Sequence, residues 1–131
     1  MTMDAARRQL DEQGYVLLEG FMLSTGERLL GELRRRILDI LEEEGDRAGH
    51  EFKTEATARR LANLVDKGEV FRRAIVLPEL LDCVRHVLGP RIKLSSLNAR
   101  SADPHSSEGQ PLHVDMGAVP DGQGYWVCNT V

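Results

Sequence analysis

The spacing of apolar residues changes at Pro90, and this change most limits the folds open to the chain. Before Pro90, apolar residues recur every three or four positions, which predicts helices. After it, residues 91–95 alternate polar and apolar side chains, the period of a half-buried strand. The last run, 125–131, is rich in β-forming residues. The sequence therefore predicts an α+β fold, with helices first and strands afterwards.

The clearest helix is predicted between Ser24 and Gly45. Ser24 followed by Glu27 matches a capping box, and Gly45 stands where a helix commonly stops. Its apolar residues recur at helical spacing: Leu29, Leu30, Leu33, Ile37, Leu38 and Leu41. One stripe of this helix is therefore expected to face a core. The arginines at 34–36 and the glutamates at 42–44 are expected to form a solvated face.

Further elements are predicted on both sides of that helix. Helices are predicted over residues 4–13, 55–66, 70–76 and 78–88. Short strands are predicted over residues 15–18, 91–95, 112–115 and 125–131. Asp4 is the expected N-cap of the first helix and Gly14 its stop, while Pro78 suits the first position of the last helix.

Composition excludes several classes of function. The net charge of −4 argues against nucleic-acid binding, which needs a basic face. No apolar run approaches the length that crosses a membrane, and the charged N-terminal residues form no signal-peptide core. The two cysteines, Cys83 and Cys128, have no metal-binding or CxxC spacing. A reducing, cytoplasmic compartment is therefore the expected location.

The residues that carry chemistry are predicted to be His113 and Asp115. Residues two apart on a strand point to the same side, with Cα atoms about 6.6 Å apart at a rise of about 3.3 Å per residue. An imidazole nitrogen and a carboxylate oxygen so placed can share one metal ion. The alternative is a surface histidine and aspartate, because a single His-x-Asp pattern often arises by chance.

The surrounding segments resemble the phytanoyl-CoA dioxygenase family. The similar segments are Lys93–Arg100, Gln110–Met116, Pro120–Gly122, the run Tyr125–Val131 and the N-terminal stretch Asp11–Phe21. The resemblance runs from about residue 9 to residue 131, and is weakest between residues 45 and 75. It implies an Fe(II)- and 2-oxoglutarate-dependent dioxygenase that hydroxylates a small-molecule substrate.

The resemblance also implies a fold and a set of ligands. The fold would be a double-stranded β-helix, a cupin-like jelly roll, with the N-terminal helices packed on an incomplete sheet. His113 and Asp115 would be two of the three iron ligands of a facial triad. Asn98 would hydrogen-bond 2-oxoglutarate or position a substrate; the alternative is a turn residue at a strand end.

The family's third ligand is a histidine well downstream, followed by a basic residue that binds 2-oxoglutarate. Neither has a counterpart in the 16 residues after Asp115. His105 could replace the missing histidine only by folding back, whereas His86 and His50 are expected to pack or to face solvent. We therefore expect residues 1–131 to form one domain, the truncated N-terminal part of a dioxygenase. Whether this part is active by itself is left open.

Two other functions remain open. The first is a non-catalytic remnant or interaction module with a vestigial metal site, and the second is a cupin-like metal protein that does not use 2-oxoglutarate. The expected partners include a missing C-terminal half, or a second copy that pairs with the open edge of the sheet.

Overall fold

The computed structural model describes residues 1–52, 58–101 and 128–131, apart from the side chains of 23–27. Its helices are α1 (Met3–Gln13), α2 (Phe21–Glu44), α3 (Glu69–Ala74) and α4 (Pro78–Leu88). Its strands are β1 (Arg60–Leu61) and β2 (Ala99–Arg100), and short 3₁₀ turns lie at Gly45–Arg47 and Leu64–Asp66. The chain divides into two compact units, one with α1 and α4, the other containing α2, β1, α3 and β2.

The first unit is a pair of helices whose ends are set by local signals. Thr2 caps α1 by accepting a hydrogen bond from the backbone N–H of Ala5 at 3.3 Å. Gly14 ends it in the left-handed conformation (φ +77°), donating its N–H to the carbonyl of Leu10. Helix α4 begins at Pro78, whose fixed φ suits the first turn. Ala6 and Cys83 are the buried apolar residues of this unit among the residues described.

The second unit is organised around α2. Its buried residues are Leu29, Ile40, Leu61, Ala62, Leu64, Val70 and Phe71. Three polar contacts fasten α2 to the segment 67–73. Arg36 Nε donates to the carbonyl of Lys67 at 2.8 Å, the Lys67 ammonium pairs with Glu44, and Arg73 pairs with Glu32 at 2.7 Å.

The small sheet joins two distant segments of the second unit. Strands β1 and β2 are antiparallel, with Arg60 opposite Arg100 and Leu61 opposite Ala99. Further bonds extend the pairing: the N–H of Ser101 donates to the carbonyl of Arg59, and the N–H of Leu64 to the carbonyl of Leu97. Because Leu61 is 1% exposed, this pairing also fixes one wall of the core.

The predicted jelly roll is wrong for the described residues. They are mostly helical and contain one two-stranded sheet, whereas a jelly roll needs two packed sheets of about eight strands in all. The strands predicted at 15–18 and 91–95 are wrong, since neither segment forms a strand in the described structure. Tyr15, Leu17 and Leu94 are 63%, 64% and 54% exposed. Short runs with strand-like spacing form no sheet when nothing pairs with them.

Other local predictions had mixed outcomes. The helices predicted at 4–13, 70–76 and 78–88 are confirmed as α1, α3 and α4, although Thr2 rather than Asp4 caps α1. The long helix is confirmed, but it begins at Phe21, so Ser24 is not its N-cap. The helix predicted over 55–66 is wrong where described, since β1 and a 3₁₀ turn occupy it. The strands predicted at 112–115 and 125–127 lie outside the described residues, and 128–131 form no strand.

No helix in the described ranges is both long and apolar enough to cross a lipid bilayer.

Gly49 is expected to be the least replaceable glycine of the second unit. It has φ +74°, and a Cβ there would lie 2.8 Å from both the Cβ and the carbonyl oxygen of Arg60. Gly49→Ala should lower the free energy of unfolding by about 2–4 kcal/mol, through backbone strain and displacement of β1. The matched control is Gly45→Ala, where φ is +51° and the space is open, so about 1 kcal/mol is expected. Equal losses in urea denaturation would contradict the close packing at Gly49.

Candidate functional site

The two predicted iron ligands, His113 and Asp115, lie outside the described residues, as does His105. In the part of the chain that is described, no group of three or more His, Cys, Asp or Glu side chains is placed to hold a metal ion. The iron site therefore remains a prediction from the sequence.

Asn98, the predicted 2-oxoglutarate contact, is described and lies immediately before β2. Its Oδ1 accepts a long hydrogen bond, 3.4 Å, from the backbone N–H of Asn63. Asn63 itself has φ +55°, a conformation that asparagine tolerates better than most residues. Asn98 thus contacts the backbone just before the 3₁₀ turn that follows β1. Its role toward 2-oxoglutarate stays a prediction.

Asn98 also lies on the wall of an apolar cavity of about 540 Å³ within the second unit. Helix α2 forms one side of the cavity, and the 3₁₀ turn at Leu64, α3 and the start of β2 form the other. The lining residues are Leu30, Leu33, Arg34, Ile37, Leu38, Leu64, Phe71, Ala74, Leu97, Asn98 and Ala99. This volume is within the range of small-molecule sites.

The lining of the cavity favours binding over catalysis. Among the described residues that line it, only Arg34 and Asn98 have side chains with strong hydrogen-bonding groups, and neither is a nucleophile or a general base at neutral pH. Fully burying an aliphatic side chain is worth about 1.5–3 kcal/mol, so apolar groups would gain by entering. The cavity is therefore a place where apolar groups of a ligand or partner could bind.

A second cluster lies between the two helices of the first unit. Arg7 Nε donates to Asp82 Oδ2 at 3.0 Å, and a second guanidinium nitrogen contacts Oδ1, so the pair is bidentate. One turn along, His86 Nε2 lies 2.8 Å from Asp11 Oδ1. The exposed His86 therefore joins α4 to α1, and the exposed His50 lies in the turn after α2.

The hydrogen bond and the positive charges of this cluster lower the pKa of one carboxyl group, that of Asp82. The hydrogen bond from Arg7 lowers the pKa of Asp82, and the positive charges of Arg7 and His86 act in the same direction. The same contact raises the pKa of Arg7. The pair is therefore charged throughout the neutral range.

The two cysteines are free thiols of low reactivity. Cys83 is buried in α4, and burial is the largest cause of its raised pKa, followed by the negative charge of Asp82. Burial also raises the pKa of Cys128. Because the thiolate is the nucleophilic form, neither cysteine has the character of a catalytic residue.

Sequence reasoning missed both the cavity and the helix–helix cluster. A signal for the cluster was present: Arg7 and Asp11 are four residues apart on α1, as are Asp82 and His86 on α4. A signal for the cavity was also present, because the apolar residues of α2 cover more of the helix circumference than a single buried stripe would.

Comparison of the chain with protein families, with curated proteins and with solved structures gave no match in any of the three. The resemblance to the phytanoyl-CoA dioxygenase family is therefore neither supported nor refuted by them.

The contact between Arg7 and Asp82 predicts a dependence of stability on pH. Because folding lowers the pKa of Asp82, its contribution is present above the ordinary aspartate pKa of about 3.9 and is lost as the pH falls through the folded value. Wild type should thus be more stable than Asp82→Asn at pH 7, and the difference should vanish in stronger acid. Urea denaturation at several pH values measures this difference.

The control for this prediction is Glu12→Gln, which removes an exposed carboxylate of α1 that contacts no cation among the described residues. Its difference from wild type should stay small at each pH. An Asp82→Asn difference that is constant with pH would show that Arg7 does not act on the charge of Asp82.

Proposed function

We propose that this chain contributes two ligands to the iron site of a 2-oxoglutarate-dependent dioxygenase of the phytanoyl-CoA dioxygenase type. The observation that carries the proposal is the triplet His113-Val114-Asp115, within a segment similar to that family. One imidazole nitrogen and one carboxylate oxygen are two parts of the donor set that non-haem Fe(II) oxygenases use.

The residues of this chain supply only part of a ferrous iron site. A facial triad takes a second histidine, and no histidine follows Asp115 in these 131 residues. The third ligand and the basic partner for 2-oxoglutarate are therefore not assigned to residues of this chain. When bound, ferrous iron with 2-oxoglutarate and O₂ would supply oxidation of a C–H bond of a small-molecule substrate. The parts played by His113 and Asp115 are to hold and orient the metal.

A second candidate is an interaction module without catalysis. The observation that favours it is the exposed apolar surface on α2, where Leu30 and Leu38 are 45% and 48% exposed beside the cavity. Large exposed apolar residues that cluster in this way commonly mark a binding surface. This candidate does not exclude a metal site elsewhere in the chain.

The location and partners remain part of the proposal. Two free thiols and an acidic net charge are compatible with a cytoplasmic protein that acts on a small molecule and not on nucleic acid.

Anaerobic titration with Fe(II) and 2-oxoglutarate tests the iron site. Wild type should develop the visible charge-transfer band of the iron–2-oxoglutarate complex, with weak affinity because only two protein ligands are identified. His113→Ala and Asp115→Ala should each abolish the band, since each removes one ligand.

His86→Ala is the matched control, because it removes a histidine that contacts Asp11 and to which the proposal gives no role at the metal. It should leave the band unchanged. Absence of the band in wild type, or its persistence in His113→Ala, would overturn the proposal. Succinate formation distinguishes this function from that of a cupin-like metal protein.

A further inference from the structure

Helix α2 exposes an apolar line beside the cavity of the second unit. Leu38 is 48% exposed and Leu30 is 45% exposed, although Ile40, two residues beyond Leu38, is 1% exposed. One line of the helix thus faces the core, and a different line is left uncovered by the residues that the structure describes. Exposed leucines at helical spacing are typical of a surface that packs against another helix.

Most charged residues of α2 are already engaged within the second unit. Arg28 pairs with Glu32, which also pairs with Arg73, and Arg36 pairs with Glu43. Four others, Arg34, Arg35, Asp39 and Glu42, are exposed and make no ion pair or hydrogen bond with any described residue.

Two of these four, Arg34 and Glu42, are arranged symmetrically about Leu38. Arg34, Leu38 and Glu42 are spaced four residues apart, so they follow one ridge of the helix. At a rise of about 1.5 Å per residue, Arg34 and Glu42 each lie about 6 Å along the axis from Leu38, on opposite sides. They are too far apart to pair with each other readily within one chain.

We propose that this face of α2 binds a second copy of the chain, with the two α2 helices antiparallel and a two-fold axis at Leu38. In that arrangement Arg34 of one chain meets the partner chain's acidic position 42, and the contact is repeated by symmetry. The ridges of two copies are therefore complementary in charge when the helices are antiparallel. In a parallel arrangement, like charges would meet. This surface is distinct from the sheet edge and independent of the iron proposal.

The cavity gives the apolar side chains of the second copy a place to pack. Leu30, Leu38 and Ile37 line it from α2, and Leu64 and Phe71 line it from the 3₁₀ turn and α3. Apolar side chains from the second copy that enter it would remove exposed leucine surface from water. The apolar contacts supply affinity, and the paired charges fix the antiparallel orientation.

Sedimentation across a range of concentrations tests the proposal. Wild type should dimerise reversibly, whereas Arg34→Glu and Glu42→Arg should each raise the dissociation constant by about tenfold or more, since each places like charges together at two positions. Arg8→Glu and Glu12→Arg, which make the same charge changes on exposed positions of α1, should dimerise as wild type does. Circular dichroism confirms that each variant keeps its helices.

Mixing the two single variants is the most direct test of the proposed charge pairing. A heterodimer of Arg34→Glu with Glu42→Arg has opposite charges at both contacts, so the mixture should dimerise although neither variant does so alone. A folding defect in either variant would not be repaired by mixing. Wild type that stays monomeric at every concentration would overturn the proposal in favour of a different occupant of this face. If neither charge reversal weakens dimerisation, the contact lies elsewhere and the proposal is overturned. The same holds if mixing the two variants does not restore dimerisation.

Discussion

Helix α2 carries two apolar lines, and the described part of the chain buries only one of them. The buried line contains Leu29 and Ile40, and polar contacts from Arg36, Glu44 and Glu32 hold this side to the segment 67–73. The other line contains Leu30 and Leu38 and borders the cavity. A two-stranded sheet of four residues is too small to cover a second helix face. The cavity and the proposed interface both follow from this imbalance.

Predictions from sequence succeeded where the signal was local. Gly14 and Pro78 set helix ends through their own backbone preferences, which need no distant partner. The strand predictions failed because a strand exists only when another segment pairs with it. Alternation around Leu94 cannot reveal whether such a partner is present. The predicted stripe of α2 included the exposed Leu30 and omitted the buried Ile40, because spacing alone cannot tell which of two apolar lines faces the core.

The candidate site also has parts that the sequence could predict and parts that it could not. His113 and Asp115 were predicted from their spacing and from the family resemblance, which also implied the jelly roll that the described residues lack. Both residues lie outside the described part of the chain, so their role stays a prediction. Asn98 was predicted either to contact 2-oxoglutarate or substrate or to be a turn residue at a strand end, and its bond to Asn63 decides neither role. The contact between Arg7 and Asp82 spans 75 residues of sequence. The four-residue spacings indicate a charged face on each helix, but only the packing of α1 against α4 shows that the two faces meet.

Cysteine labelling of α2 tests most directly whether its two apolar lines have different environments. Leu38→Cys and Ile40→Cys place one new thiol on each line, and mass spectrometry separates them from Cys83 and Cys128. In dilute native protein, iodoacetamide should modify Leu38→Cys many times faster than Ile40→Cys, and urea should remove the difference. Equal rates under native conditions, or faster reaction at position 40, would contradict the assignment of the two lines and the account built on it.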